Sequence, residues 1–192
     1  MELLEVATSQ YGYVTADDAR AAGVDPVQLR IMHHRRLVER VARGVYRSPI
    51  VPATAMDQYM EAVLWPRTKA TLSHETALDL HGLCDVNPAH IHVTLPAGYR
   101  LRRDVPRVYQ LHRRDLDPDD VTLHEGIPIV TPYRAIRDGI EANLGGHLID
   151  QAISTAQRRG LIAPAELRLL KRARPGRRPG PRLRPETIAA HR

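Results

Sequence analysis

Six arginines (Arg30, Arg35, Arg36, Arg40, Arg43 and Arg47) fall between Pro26 and Ser48 against a single acid, Glu39. Guanidinium groups at that density suit phosphates and the acceptor edge of guanine, because the planar fork donates two parallel hydrogen bonds. Gln28, His33 and His34 lie among them and add groups able to read base edges. A charge cluster is ordinarily no more than a solvated face. Here the charge falls on the two elements that a winged helix-turn-helix presents to a duplex, which favours DNA. The candidate contacts are Gln28, Arg30, His33, His34, Arg35 and Arg36 on a helix, and Arg43, Tyr46 and Arg47 on the hairpin that follows it.

The ten histidines invite a metal or catalytic reading. His74-Glu75 begins like a zinc-protease helix, but the second ligand of that motif would fall where Leu78 stands. His81 can share a helix face with His74, and a packing or capping role outweighs ligation there. His90 and His92 share a strand face with Cys84 near in sequence, yet no fourth ligand follows at a defined spacing. Ser73-His74-Glu75 sit on one turn and cannot converge as a triad. Asp115, Asp117, Asp119, Asp120 and Glu125 form an acidic turn without the carboxylate–x–Lys strand of a nuclease, since lysine occurs only at 69 and 171. Gly145-Gly146 precedes no lysine, so it breaks a helix rather than cradling a phosphate. The expectation is a non-enzyme with no catalytic residue, metal or cofactor.

The arginines need a frame to hold them. Thr15 with Asp18 forms a capping pair, Ala16 to Ala22 a short helix, and Gly23 its stop. Asp25-Pro26 restarts the chain as N-cap and first helical residue. The second helix is predicted from Pro26 to Arg36, with Val27, Ile31 and Leu37 facing inward. Leu37 to Val41 then alternates, Arg43-Gly44 turns, and Val45-Tyr46-Arg47 returns as a wing.

Two prolines in Ser48-Pro49-Ile50-Val51-Pro52 mark a boundary. Residues 1–49 are read as the DNA-binding head, 50–174 as an α+β body, and 175–192 as a flexible basic tail. Within the body, helices are expected at Ala53–Trp65, from Ser73 to Gly82 with Ala77, Leu78 and Leu80 inward, from Thr131-Pro132 through Ile136 and Ile140, at His147–Arg159 and at Pro164–Arg174. Strands are expected at His90–Pro96, Val105–His112 and Gly126–Val130. Helices, then strands, then helices indicate an α+β body rather than a parallel βαβ array.

The charge is uneven. The net +6 of the 192 residues resolves into +1 over 1–48, −2 over 49–170 and +7 over 171–192. The body therefore has no electrostatic reason to hold DNA. The tail, with prolines at 175, 179, 181 and 185, cannot form a packed core and is either a phosphate-binding arm or simply solvated. One cysteine, Cys84, excludes an internal disulfide, and no apolar run or leader-like N-terminus is present, so a cytoplasmic location is expected.

An ordered series of short motifs resembles the AbiEi antitoxin family of bacterial toxin–antitoxin systems. It runs from Gly12-Tyr13-Val14-Thr15 through Arg43-Gly44-Val45-Tyr46-Arg47, Leu72-Ser73-His74-Glu75-Thr76-Ala77-Leu78, His81-Gly82-Leu83 and Ile91-His92-Val93-Thr94-Leu95-Pro96. It closes on Gly126-Ile127-Pro128-Ile129-Val130-Thr131-Pro132 with Arg134 and Asp138, covering about residues 12–140. The resemblance implies a winged-helix head that binds operator repeats in its own promoter. It also implies a body that opposes a nucleotidyltransferase-like toxin. Two half-sites would call for a dimer or cooperative binding on DNA. The alternative is a stand-alone winged-helix regulator whose body binds a ligand or dimerises.

Overall fold

Thr15 and Asp25, each followed by a residue able to close a capping box, set the two turns around which the N-terminal part folds. The computed structural model describes residues 2–174; the basic tail at 175–192, with the phosphate-arm expectation attached to it, lies outside the described residues. The head runs α1 (Glu2–Ser9), β1 (Tyr13–Thr15), α2 (Ala16–Ala21), α3 (Pro26–His34), β2 (Glu39–Ala42) and β3 (Val45–Arg47). Thr15 Oγ1 accepts the Asp18 N–H at 3.1 Å while the Asp18 carboxylate accepts the Thr15 N–H at 2.8 Å. The strands form an antiparallel sheet in the order β1-β3-β2. This is the winged-helix order that the sequence predicts.

The phase of α3 differs from expectation. Leu29, 2% exposed, and the partly buried Met32 face inward and meet Ala19 of α2 and Val38. Val27, Ile31 and Leu37 are 57%, 46% and 52% exposed. At about 100° per residue, Leu29 and Met32 share one stripe while Val27 and Ile31 share the opposite one. Both pairs fit a helical period, so spacing alone could not choose between them. The helix also ends early: Arg35 is its C-cap and Arg36 takes a left-handed φ of +59°.

The body comprises α4 (Asp57–Leu64), β4 (Thr71–Leu72), α5 (His74–Leu80), β5 (Ile91–Leu95), β6 (Tyr109–Arg113), β7 (Val121–His124), β8 (Ile127–Val130), α6 (Pro132–Glu141), α7 (Gly146–Arg158) and α8 (Pro164–Ala173). Its sheet has the order β6-β5-β4-β8-β7 and is mixed: β5 and β6, and β4 and β8, are parallel, while β4 and β5, and β7 and β8, are antiparallel. The α+β class therefore holds. Ile91, Val93 and Leu95 are buried along β5, and Ala77, Leu78, Ile136 and Ile140 are buried from α5 and α6. Two strands were not anticipated. β4 is too short to show alternation, and β7, Val-Thr-Leu-His, is a four-residue edge strand whose Leu123 is exposed. The β7–β8 turn places Glu125 and Gly126 at φ +48° and +84°, the paired positive values of a tight two-residue hairpin. β6 begins at Tyr109 rather than Val105, and Val105 and Val108 are exposed.

Head and body change partners near the predicted boundary but share one core, in which Tyr13 and Val45 join Met60, Trp65 and Tyr109. Polar contacts pin the seam. Tyr13 and Tyr109 donate to the two oxygens of Glu61 at 3.0 and 3.3 Å, and Tyr11 donates to the Glu125 carbonyl at 2.7 Å. Arg47 pairs with Asp57 at 2.9 Å, the two side chains being 17% and 13% exposed. Burial alone would raise the Asp57 carboxyl, but the Thr54 N–H and hydroxyl together with Arg47 hold it below the ordinary value. A depressed carboxyl contributes stability that is present above its unfolded pKa and lost as pH falls through the folded one. Asp57→Asn is accordingly expected to cost about 1–3 kcal/mol near neutral pH. In a series of urea denaturations it should also flatten the loss of stability below about pH 4.

Candidate nucleic-acid interface

Asp25 builds α3 from its first turn. Its carboxylate accepts the Val27 and Gln28 N–H groups at 2.6 and 2.8 Å, and Gln28 Oε1 accepts the Asp25 N–H at 3.0 Å. Pro26 occupies the first helical position, where its missing N–H costs nothing. The Gln28 carbonyl is thus committed to the cap, and its amide NH2 remains available as a donor. With Leu29 and Met32 turned inward, the outward face carries Val27, Arg30, Ile31, His34 and Arg35, all exposed, with Gln28 on its flank. Arg36 follows at the C-terminal end, also exposed.

The wing turns at Arg43-Gly44. Gly44 has φ +74°, a backbone conformation that calls for glycine, while a Cβ there would meet only the flexible end of Arg67. Arg40 and Arg43 are exposed on the wing. Tyr46 is only partly exposed and joins α3 to the wing through an edge-on contact with His33, ring centroids 6.2 Å apart. His33 Nδ1 lies 3.2 Å from the Val38 carbonyl, which seats a donated proton there. His33 and Tyr46 therefore hold α3 against the wing, and their exposed edges are what a duplex would meet.

Arg47 stands apart from the other arginines. Its guanidinium donates to Asp57 Oδ2 at 3.0 and 2.9 Å and to the Val51 carbonyl at 3.1 Å, with the Tyr13 ring 5.9 Å away. These contacts lock the seam and leave the group poorly placed for a phosphate, which corrects the sequence-based grouping of Arg47 with Arg43. Among the described residues Arg30, Arg35, Arg36, Arg40 and Arg43 enter no ion pair. Arg40, Val27 and Ile31 are additions to the sequence-based set. Arg40 was legible as one of the six arginines, whereas the two apolar residues emerge only once the phase of α3 is known.

The histidines of the body are arranged differently from expectation. His81 Nε2 lies 2.8 Å from the Val130 carbonyl, the packing role anticipated for it. His90 is exposed and Cys84 is buried, its thiol pushed up by burial. His92 does not group with either: its Nδ1 lies 3.1 Å from Nε2 of His112, a residue the sequence did not single out. Asp115, at the start of the acidic turn, accepts the Ala97 N–H at 3.0 Å.

Residues 1–49, the head, match the family model described as a transcriptional regulator, AbiEi antitoxin. The model ends where the wing ends, so the resemblance carried by motifs up to about residue 140 rests beyond that point on the motifs themselves. No curated protein matches the chain. The fold is similar to the crystal structure of the RV2827C protein from Mycobacterium tuberculosis, with a TM-score of 0.55 at 18% identity, over 90% of this chain and 70% of that one. At that identity the likeness is one of fold. Among the described residues no helix is long and apolar enough to cross a membrane.

Proposed function

We propose that this chain is a sequence-specific double-stranded-DNA-binding repressor of its own operon and the antitoxin to a nucleotidyltransferase-like toxin encoded beside it. The observation that carries the DNA reading is the exposed face of α3. Donors from Gln28, Arg30, His34 and Arg35 surround Val27 and Ile31 there, flanked by the exposed cations Arg36, Arg40 and Arg43. In the major groove such a face reads guanine with Arg30 or Arg35 and meets thymine methyls with Val27 or Ile31. The wing and the C-terminal end of α3 set register on the phosphates. A head that presents one reading helix binds one half-site, so operator repeats are occupied by two copies, as a dimer or cooperatively. The toxin and autorepression parts of the proposal rest on the family of the head and on the motif series. The reading is of a binding protein that works in the cytoplasm on DNA and on a protein partner, without chemistry of its own.

Substitutions separate the roles. Arg30→Ala is expected to weaken operator binding by about 1–3 kcal/mol, roughly 5- to 150-fold, and to relax preference at one base pair. Arg43→Ala should weaken all sequences alike and reduce the salt slope by about 0.9. Arg47→Ala should lower thermal stability and leave that slope unchanged. Fluorescence anisotropy on labelled operator at several salt concentrations reads all three. Equal affinity of the Arg30→Ala and wild-type proteins for operator would remove α3 as the reading element.

A further inference from the structure

Three histidines far apart in sequence meet on one side of the body. His74 opens α5, His92 lies on β5 and His112 on β6, two residues along from the directly paired position and so on the same face, since His92 faces Gln110 and His112 faces Thr94. One ring nitrogen from each lies within 4.8 Å of the others. His92 Nδ1 and His112 Nε2 are 3.1 Å apart, and the His74 ring stacks on His112 with centroids 3.4 Å apart. From this convergence we propose that His74, His92 and His112 form a binding site for a divalent transition metal of the zinc class.

Three observations support the assignment. Two facing ring nitrogens can share only one proton, whereas a metal takes a lone pair from both, which neutral imidazoles supply. His74 is held at φ +51°, a left-handed conformation uncommon for a side chain with a Cβ, and strain of this kind gathers at functional sites. The third observation is Asp138, whose side chain is 2% exposed and whose Oδ2 is the one buried side-chain polar atom without a hydrogen-bond partner among the described residues. That oxygen lies 3.9 Å from His74 Nδ1, which also has Ser73 Oγ at 2.9 Å. A carboxylate behind the non-ligating nitrogen is the outer support that metal-bound histidines use to fix the ring and raise its basicity. With Nδ1 facing Ser73 and Asp138, Nε2 is the nitrogen left to ligate once the His74 ring turns out of its stack on His112.

The surroundings do not repel a cation outright. Arg114 and Arg134 are near, but Arg114 pairs with Glu141 at 2.5 Å and Arg134 with Asp138 at 2.5 Å. Three imidazoles leave one tetrahedral position for water or an outside donor, the arrangement of an open rather than a purely structural zinc site. His92 and His112 are both partly exposed, so that position has access to solvent.

The test is metal binding by the full chain stripped with a chelator, titrated with Zn2+ against a chromogenic competitor and with Co2+ followed by visible absorption. One equivalent per chain is expected, with the intense bands of tetrahedral cobalt. His92→Ala and His112→Ala should each weaken binding at least 100-fold, and Asp138→Asn, a positioning residue, 10- to 100-fold. His112 lies partly exposed on the edge strand, so its variant is expected to fold, and a native circular dichroism spectrum verifies this. Failure of the wild-type chain to bind Zn2+ in this competition would overturn the proposal. So would equal stoichiometry and affinity in the His92→Ala/His112→Ala double variant, which would place any bound metal elsewhere.

Discussion

Arg134→Ala is expected to destabilise the protein by about 3–5 kcal/mol, the range for removing one partner of a buried ion pair. Arg134 Nε and Nη2 both donate to Asp138 Oδ1, at 2.9 and 2.5 Å, one turn apart on α6, and the side chains are 3% and 2% exposed. Removing the guanidinium strands a buried carboxylate. Burial already raises the Asp138 carboxyl even with Arg134 in place. Without its partner the group rises further and takes up a proton as pH falls, which relieves the uncompensated charge. A raised carboxyl binds more protons in the native than in the unfolded state, so acidification stabilises the variant relative to wild type. The expected signature is a large loss by urea denaturation at pH 7 that shrinks at pH 5. In a chain of this size the melting temperature should fall by on the order of 10 °C. A loss under 1 kcal/mol at pH 7 would show that the pair is not desolvated as the structure has it.

Leu29→Ala should cost about 2–5 kcal/mol and abolish operator binding at concentrations where wild type saturates. Leu29 is the one fully buried residue of α3, and the buried cluster around it contains only Ala19 and Val38, with Leu3, Ala16, Val24, Met32 and Tyr46 packed at its margin. So small a cluster has little capacity to close around a cavity, and the loss falls on the orientation of α3. Val27→Ala, two residues away on the exposed face, should change stability by no more than about 0.5 kcal/mol. Hydrogen exchange on the α3 amides distinguishes the two variants directly. Equal protection in both would return Val27 to the core and Leu29 to the surface.

The local start and stop signals of the head were legible because each is made by residues within four positions of one another. Thr15 with Asp18, Asp25-Pro26 and Gly23 all act as their types predict, while the Gln28 side chain adds a cap that was not anticipated. The phase of α3 was not legible, since it depends on Ala19 and Val38 across the fold rather than on any spacing within the helix. Arg47 was misplaced for a related reason. Its partner Asp57 lies beyond a proline-rich turn, and nothing at the level of charge counting separates a seam arginine from an exposed one. In the body the buried strand β5 announced itself by Ile91, Val93 and Leu95, whereas β4 has only two residues and the alternation of β7 spans only four, on an exposed edge. The histidine cluster is the clearest case of information held by topology. His92 and His112 meet only because β5 and β6 pair in parallel, and His74 joins them because β4 sets the start of α5 beside β5.

The most direct measurement is fluorescence anisotropy of the purified chain on its own upstream DNA against a scrambled duplex of equal length, at two salt concentrations. A DNA-reading head predicts a preference for the upstream fragment of at least 100-fold that survives the higher salt, with both affinities falling as salt rises. Equal affinity for the two fragments, lost together at the higher salt, would contradict sequence-specific reading by α3.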